Sequence, residues 1–151
     1  MFRGHYEHTL DSKGRVSLPA RLREALVAKD GTPDASRFVL TCSLYGCLVI
    51  YTWDRWLSFE ARIAALAQFN PQVQRLKRVY IAGAVECTLD GHGRLLVPET
   101  LRKFAELERD VVWVGQLDTM ELWSLSRWKK AVEEAMDDPQ SLAQAIADLG
   151  L

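Results

Sequence analysis

An internal repeat sixteen positions long constrains this chain more than any other feature. His8-Thr-Leu-Asp11-Ser-Lys-Gly14-Arg15 returns 79 residues later as Cys87-Thr-Leu-Asp90-Gly-His-Gly93-Arg94. Both copies then run through an apolar stretch to a proline, Pro19 or Pro98, and on to Leu22-Arg23 or Leu101-Arg102. In a second block, Leu48-Val-Ile-Tyr51-Thr-Trp-Asp-Arg55-Trp56 matches Met120-Glu-Leu-Trp123-Ser-Leu-Ser-Arg127-Trp128 at an offset of 72. The seven residues by which the offsets differ fit best in Lys29–Ser36, where Gly, Pro, Asp and Ser mark a surface loop. Closure cost grows slowly with loop length, so one copy can carry the insertion without changing its fold. The chain is a tandem duplication of a unit that would be marginal by itself, and the copies are expected to pack together.

Each unit reads as strand, turn, strand, short helix, strand, strand. Asp11-Ser-Lys-Gly14 and Asp90-Gly-His-Gly93 are turn sequences, because Asp accepts hydrogen bonds from nearby backbone and Gly supplies positive φ. Strand-like residues flank them, Tyr6 to Leu10 and Arg15 to Leu18, then Ala84 to Leu89 and Arg94 to Val97, so each turn is expected to be a hairpin tip. Pro19 and Pro98 suit the first turn of helices over Ala20 to Leu26 and Glu99 to Phe104. Arg37 to Cys42, Cys47 to Thr52, Asp110 to Gly115 and Met120 to Ser124 read as further strands. Helical patterns run from Asp54 to Phe69, with an apolar face at Leu57, Ile63, Ala64, Leu66 and Ala67, and from Pro71 to Tyr80. Two more follow, from Arg127 to Met136 and from Ser141 to Leu149. The resulting division is 5–53 for repeat one, 54–82 for a helical connector, 83–125 for repeat two and 126–151 for a C-terminal helical segment.

The formal charge of −1 excludes a uniformly cationic nucleic-acid coat, but it averages over an asymmetry. Residues 131–151 carry five acidic side chains and no Lys or Arg, so the preceding 130 hold 19 cationic against 15 acidic groups. Positive charge is concentrated at the front, in Arg3, Lys13, Arg15, Arg21, Arg23 and Lys29. The start of the chain is charged rather than apolar and no apolar run reaches membrane-spanning length, which predicts a cytoplasmic protein with no membrane partner. Cys42, Cys47 and Cys87 are odd in number and lie in apolar, strand-like sequence, as buried thiols do.

Lys13 and Arg15 make the first tip a compact cationic projection, and Arg94 stands at the equivalent place in the second. Arginine presents a planar fork of donors that matches phosphate oxygens or the O6/N7 edge of guanine. Asp11 and Asp90 lie four residues earlier, placed to hold that fork in one orientation. A bland alternative is a surface ion pair across a capped turn, worth about 0–1 kcal/mol. The retention of Asp and Arg in both copies favours the DNA-probe reading, with copy one dominant because copy two has His92 in place of Lys13.

Met1-Phe-Arg3-Gly4, Asp11-Ser-Lys13-Gly-Arg15 leading to Leu18-Pro-Ala-Arg-Leu-Arg23, and Asp90-Gly-His-Gly-Arg94-Leu-Leu resemble the MraZ family of bacterial transcriptional regulators, over nearly the whole chain. The resemblance implies an α+β fold of two tandem SpoVT-AbrB-type repeats, a swapped-hairpin (double-split) β-barrel in which one chain forms a pseudo-dimer. It implies ring-shaped homo-oligomers, nucleoid-associated, on promoter direct repeats of double-stranded DNA upstream of the division and cell-wall gene cluster. The family's own gene is included, and repression is the expected sense. By motif position, Asp11, Lys13 and Arg15 in copy one, Asp90 and Arg94 in copy two, and Arg3 in the opening segment become DNA-contact residues.

Other classes leave weaker traces. A protein-interaction module of the antitoxin type would use the acidic segment Glu133 to Leu151, though Leu142, Ala145, Ile146 and Leu149 keep the spacing of a helix packed on a neighbour in the oligomer. His5, Glu7 and His8, or Cys42 and Cys47, do not match a zinc-site spacing. No phosphate loop or nucleophile elbow is present, so neither an enzyme, a cofactor nor a small-molecule substrate is expected. Trp53, Trp56, Trp123 and Trp128 alternate with leucines and read as core rather than as base-stacking platforms.

Overall fold

The structure, a computed structural model, describes residues 1–30 and 37–151. In chain order it comprises β1 (His5–Thr9), β2 (Arg15–Ser17), α1 (Ala20–Asp30), β3 (Arg37–Cys42), β4 (Leu48–Thr52), α2 (Trp53–Ala64) and α3 (Pro71–Leu76). After a π-helical turn over Lys77–Ile81 come β5 (Val85–Thr88), β6 (Arg94–Leu96), α4 (Glu99–Phe104), β7 (Asp110–Gln116), β8 (Thr119–Ser124), α5 (Leu125–Met136) and α6 (Pro139–Asp148). This is a mixed α+β architecture with antiparallel pairing throughout. The insertion assigned to Lys29–Ser36 lies, from residue 31 onward, outside the described residues.

Six strands form one sheet in the order β1-β7-β8-β4-β3-β5, and β2 pairs with β6 in a separate ribbon. Four of the six strand pairings, β1–β7, β2–β6, β3–β5 and β4–β8, join one copy of the repeat to the other. Neither copy therefore satisfies its own edge backbone alone, and the two must fold against each other. The hairpins predicted from the sequence do not form. The strands flanking each turn do not pair with one another but diverge, one into the large sheet and the other into the ribbon. Val16 and Leu18, with Leu95 and Val97, must face the core between sheet and ribbon, and a flat hairpin would leave them in water.

One core fills the space between the large sheet, the ribbon, α1 and α4. Val16, Leu22, Leu40, Leu48, Leu95, Val97, Trp113, Met120 and Leu122 are all within it. Phe2 joins the same core, held by a backbone pair in which Phe2 N donates to Leu117 O at 2.8 Å and Leu117 N donates to Phe2 O at 2.9 Å. Repeat-matched arginines tie the copies together at both ends of the sheet: Arg55 pairs with Asp118 at 2.7 Å, and Arg127 Nη1 donates to the Gly46 carbonyl at 2.7 Å.

Several local expectations change. Pro19 and Pro98 precede the first helical residue; their carbonyls accept the first helical bonds, from Arg23 N and Arg102 N. Helix α2 ends at Ala64 rather than Phe69, because the Gln68 amide folds back onto the carbonyls of Ile63, Ala64 and Leu66. Its packed face is Trp56 and Ile63, whereas Leu57 and Leu66 are 45% exposed. Trp56 and Trp123 are core as expected, but Trp53 and Trp128 are half-buried. The Trp53 ring carries the Arg37 guanidinium at 3.8 Å, a cation–π contact that favours a partly open site. Of the cysteines only Cys47 is fully buried. Helix α6 buries none of its residues, leaving Leu142, Ile146 and Leu149 exposed. Among the described residues, no helix is long and apolar enough to cross a membrane.

Candidate nucleic-acid interface

The two Asp-x-x-x-Arg turns fold by the same local chemistry. Asp11 Oδ1 accepts from the backbone N–H of Lys13 and of Arg15, both at 2.9 Å, while Oδ2 accepts from Arg15 Nε at 2.7 Å. Asp90 repeats the pattern with His92 N, Arg94 N and Arg94 Nε at 2.9, 3.0 and 2.9 Å. The backbone N–H of Arg15, then its guanidinium and the N–H of Lys13, hold the Asp11 carboxyl below the usual carboxylate range. The N–H of Arg94 leads the same effect on Asp90. In both turns only Nε of the arginine is engaged. Among the described residues the two Nη groups find no partner, so the outer edge of each fork is oriented and open.

Gly14 and Gly93 close the turns at φ +84° and +70°, values that glycine adopts without the Cβ penalty. Their carbonyls bind across the pseudo-dyad, Gly14 O accepting from Val97 N at 2.8 Å and Gly93 O from Leu18 N at 3.0 Å. The arginines that follow the prolines also cross over. Arg102 lies against Gly14, where a Cβ would come within 2.8 Å of its Cζ, and Arg23 lies against Gly93. Arg102 Nε is shut from solvent with no hydrogen-bond partner among the described residues. The repeated Leu-Arg pair is thereby explained: Leu22 and Leu101 enter the core, and each arginine props the other copy's tip.

The ribbon sets the relation between the tips. In its register Arg15 stands opposite Leu96, Val16 opposite Leu95, and Ser17 opposite Arg94. Val16 and Leu95 point into the core, so Arg15, Ser17, Arg94 and Leu96 share the outward face. Two residues of strand rise and one interstrand spacing place the Cα atoms of Arg15 and Arg94 about 8 Å apart. Lys13 is exposed beside Arg15, and His92 beside Arg94. The structure thus brings Asp11, Lys13, Arg15, Asp90 and Arg94 onto one surface. Arg3 is not on it: the extended β1 separates it from the tip by about 25 Å, and it lies near the β7–β8 turn instead. Sequence reading passed over Ser17 and Leu96 as part of an apolar stretch. Strict two-residue alternation from the buried Val16 and Leu95 is the signal that places them outside.

The other candidates for chemistry do not assemble. His5 sits 5.8 Å from the Trp128 ring, and burial lowers the His8 pKa. Among the described residues no group of three or more His, Cys, Asp or Glu could hold a metal ion.

Comparison with known proteins agrees with the duplication. The family model described as "MraZ protein, putative antitoxin-like" matches twice, over residues 1–79 and 80–149. Relatives named transcriptional regulator MraZ align along the entire length of both chains: 39% identity over 151 residues with the protein of Desulfitobacterium hafniense (strain DSM 10664 / DCB-2), 38% with that of Moorella thermoacetica and 39% with that of Heliobacterium modesticaldum. Two family matches covering nearly all of the chain, laid over a sheet that interleaves strands of both copies, leave one assignment: this chain belongs to the MraZ family.

Proposed function

We propose that the protein is a sequence-specific regulator of transcription that inserts the β2–β6 ribbon into the major groove of double-stranded DNA. The observation carrying this reading is the pair of arginines on one outward face, each anchored through Nε with both Nη groups open. The major groove, about 12 Å wide, admits a two-stranded ribbon, and the open fork is the edge that pairs with guanine O6 and N7. Arg15 and Arg94 read bases, Lys13 takes a phosphate, and Asp11 and Asp90 fix the forks. Arg3 is outside this surface and has no part in the base contacts. Relatives named as transcriptional regulators support the regulatory role.

The exchange of strands between copies supports the double-split, AbrB-like barrel, with repeats at 5–53 and 83–125, the connector at 54–82 and the C-terminal segment at 126–151. A near-neutral chain with few cations binds DNA weakly by itself. A ring of identical copies on evenly spaced promoter direct repeats, including those before its own gene in the division and cell-wall cluster, raises effective concentration and makes repression efficient. The exposed Leu142, Ile146 and Leu149 of α6 supply an apolar surface for a neighbouring copy. Gel-shift titration on the protein's own upstream DNA tests the reading: Arg15→Ala abolishes specific binding and Arg94→Ala weakens it less. Full retention by Arg15→Ala refutes it.

A second reading is favoured by the antitoxin-like family description together with the acidic, exposed segment from Glu133 to Leu151: a protein partner docked there. Co-purification of a stoichiometric small protein with the full-length chain, absent when Leu142 and Ile146 are changed to Ser, supports it.

A further inference from the structure

Leu96 is 56% exposed, although Leu95 and Val97 on either side of it are buried at 1% and 0%. A single exposed leucine is ordinary; its placement is not. It occupies the outward face of the ribbon directly opposite Arg15, a relation that puts the two Cβ atoms about 4.5–5.5 Å apart. The corresponding residue of copy one is Ser17, opposite Arg94. The two halves of an otherwise two-fold ribbon therefore offer different chemistry beside equivalent arginines, a hydroxyl on one side and an isobutyl group on the other.

In the DNA major groove the 5-methyl of thymine is the one apolar group that base pairs display. We propose that Leu96 is a specificity-determining residue that packs on the 5-methyl of a thymine next to the base pair read by Arg15. The inference rests on the reading of Arg15 as a base contact and deepens it. A side chain about 5 Å from the Arg15 stem spans one to two base steps, so the methyl it covers belongs to a pair adjoining the one under the fork. Ser17, a donor and acceptor, has no such preference and tolerates any pair beside Arg94. Leu96 is exposed in the free protein, so it can be exchanged without opening the core.

The test replaces each thymine of the footprinted DNA box with uracil, one at a time, which removes only the methyl group. Wild-type protein loses affinity about fourfold at one of these positions, the worth of one buried methyl-sized group. Leu96→Ala binds the unmodified box more weakly, by a similar factor or more, and has lost its sensitivity to uracil at that position. Its melting temperature and oligomeric mass equal those of wild type. Indifference of wild type to every uracil, or undiminished sensitivity in Leu96→Ala, overturns the inference. So does a change of oligomeric mass in Leu96→Ala with no change in DNA affinity. Arg15→Ala separates the two levels: if it binds the box like wild type, the ribbon reading itself fails. If it loses the box while no uracil couples to Leu96, the role of Leu96 alone fails.

Discussion

Replacing Gly14 by alanine tests whether the tips are held from across the pseudo-dyad. Two costs add at this position. The backbone sits at φ +84°, where an L side chain costs about 1–2 kcal/mol. The new Cβ also falls 2.9 Å from Val97 O and 2.8 Å from Arg102 Cζ. The arginine can swing aside, but the Val97 backbone cannot, because Val97 N is bonded to Gly14 O. Forcing a methyl group into such a space costs roughly 1–3 kcal/mol. A combined loss of about 3 kcal/mol lowers the melting temperature of a domain this size by about 6–12 °C. The turn of copy two supplies internal controls. Gly93→Ala has the same backbone strain but meets only the mobile Arg23 side chain, so it loses less. Gly91→Ala meets nothing within 4 Å and has no positive φ, so it stabilises by about 0.4–1 kcal/mol. Thermal unfolding followed by circular dichroism should rank them Gly91→Ala, wild type, Gly93→Ala, Gly14→Ala. A Gly14→Ala protein melting with wild type, or below Gly93→Ala in its loss, refutes the cross-dyad packing.

Three further outcomes follow from burial and titration. Desolvation, with Glu121 adding to it, pushes the Cys47 thiol up to about 12, and burial does the same to Cys87. Iodoacetamide at neutral pH should label the native protein slowly and the denatured protein at all three cysteines, since only the thiolate reacts. Burial depresses the His8 pKa below 6.5, so its contribution to stability is intact above that pH. As pH falls below it, the unfolded chain takes up a proton that the folded chain resists, and that contribution is lost. The urea midpoint should therefore fall as the pH drops below 6.5, and less so in His8→Gln. Deleting residues 137–151 removes no buried side chain; the melting transition should move by no more than about 2 °C while light scattering shows a smaller assembly.

The repeat made the symmetry legible, because two copies with matched turns, prolines and arginines have to fold alike. The exchange of strands was not legible from the repeat. Tyr6 to Leu10 and Arg15 to Leu18 satisfy every local rule for a hairpin, and only the demand that Val16 and Leu18 share a core with Leu95 and Val97 pulls them into different sheets. The Asp-to-Arg geometry was read correctly because it is local, spanning four residues and needing nothing from elsewhere in the chain. Arg23 and Arg102 were visible as repeated residues but not as props, since the glycines they lean on belong to the other copy. Arg3 shows the converse: neighbouring in sequence to a cationic tip, it is carried to the far end of β1 by the extended backbone between them.

Symmetry and its breaking bear on what kind of DNA site suits the ribbon. Two identical tips related by a dyad would see the same bases on both strands, and a palindromic half-site pair would fit them best. Among the outward departures from the dyad are Lys13 against His92 and Ser17 against Leu96. The first gives the Arg15 end of the ribbon a permanent cation suited to phosphate, and the second places an apolar group at that same end. If the ribbon enters the groove as proposed, one so marked has a preferred direction along it. Successive copies in a head-to-tail ring would present it in the same direction each time, and the DNA arrangement that matches is a direct repeat. Making the tips alike tests this link. Ser12→Gly with Lys13→His converts the first tip to the sequence of the second, and Ser17→Leu completes the face. The resulting protein should discriminate less between a box and the same box inverted in a two-box probe, while Arg15→Ala loses both. If the symmetrised protein keeps the full preference of wild type, direction is set by the ring or by the helices, and the ribbon's unlike residues carry none of it.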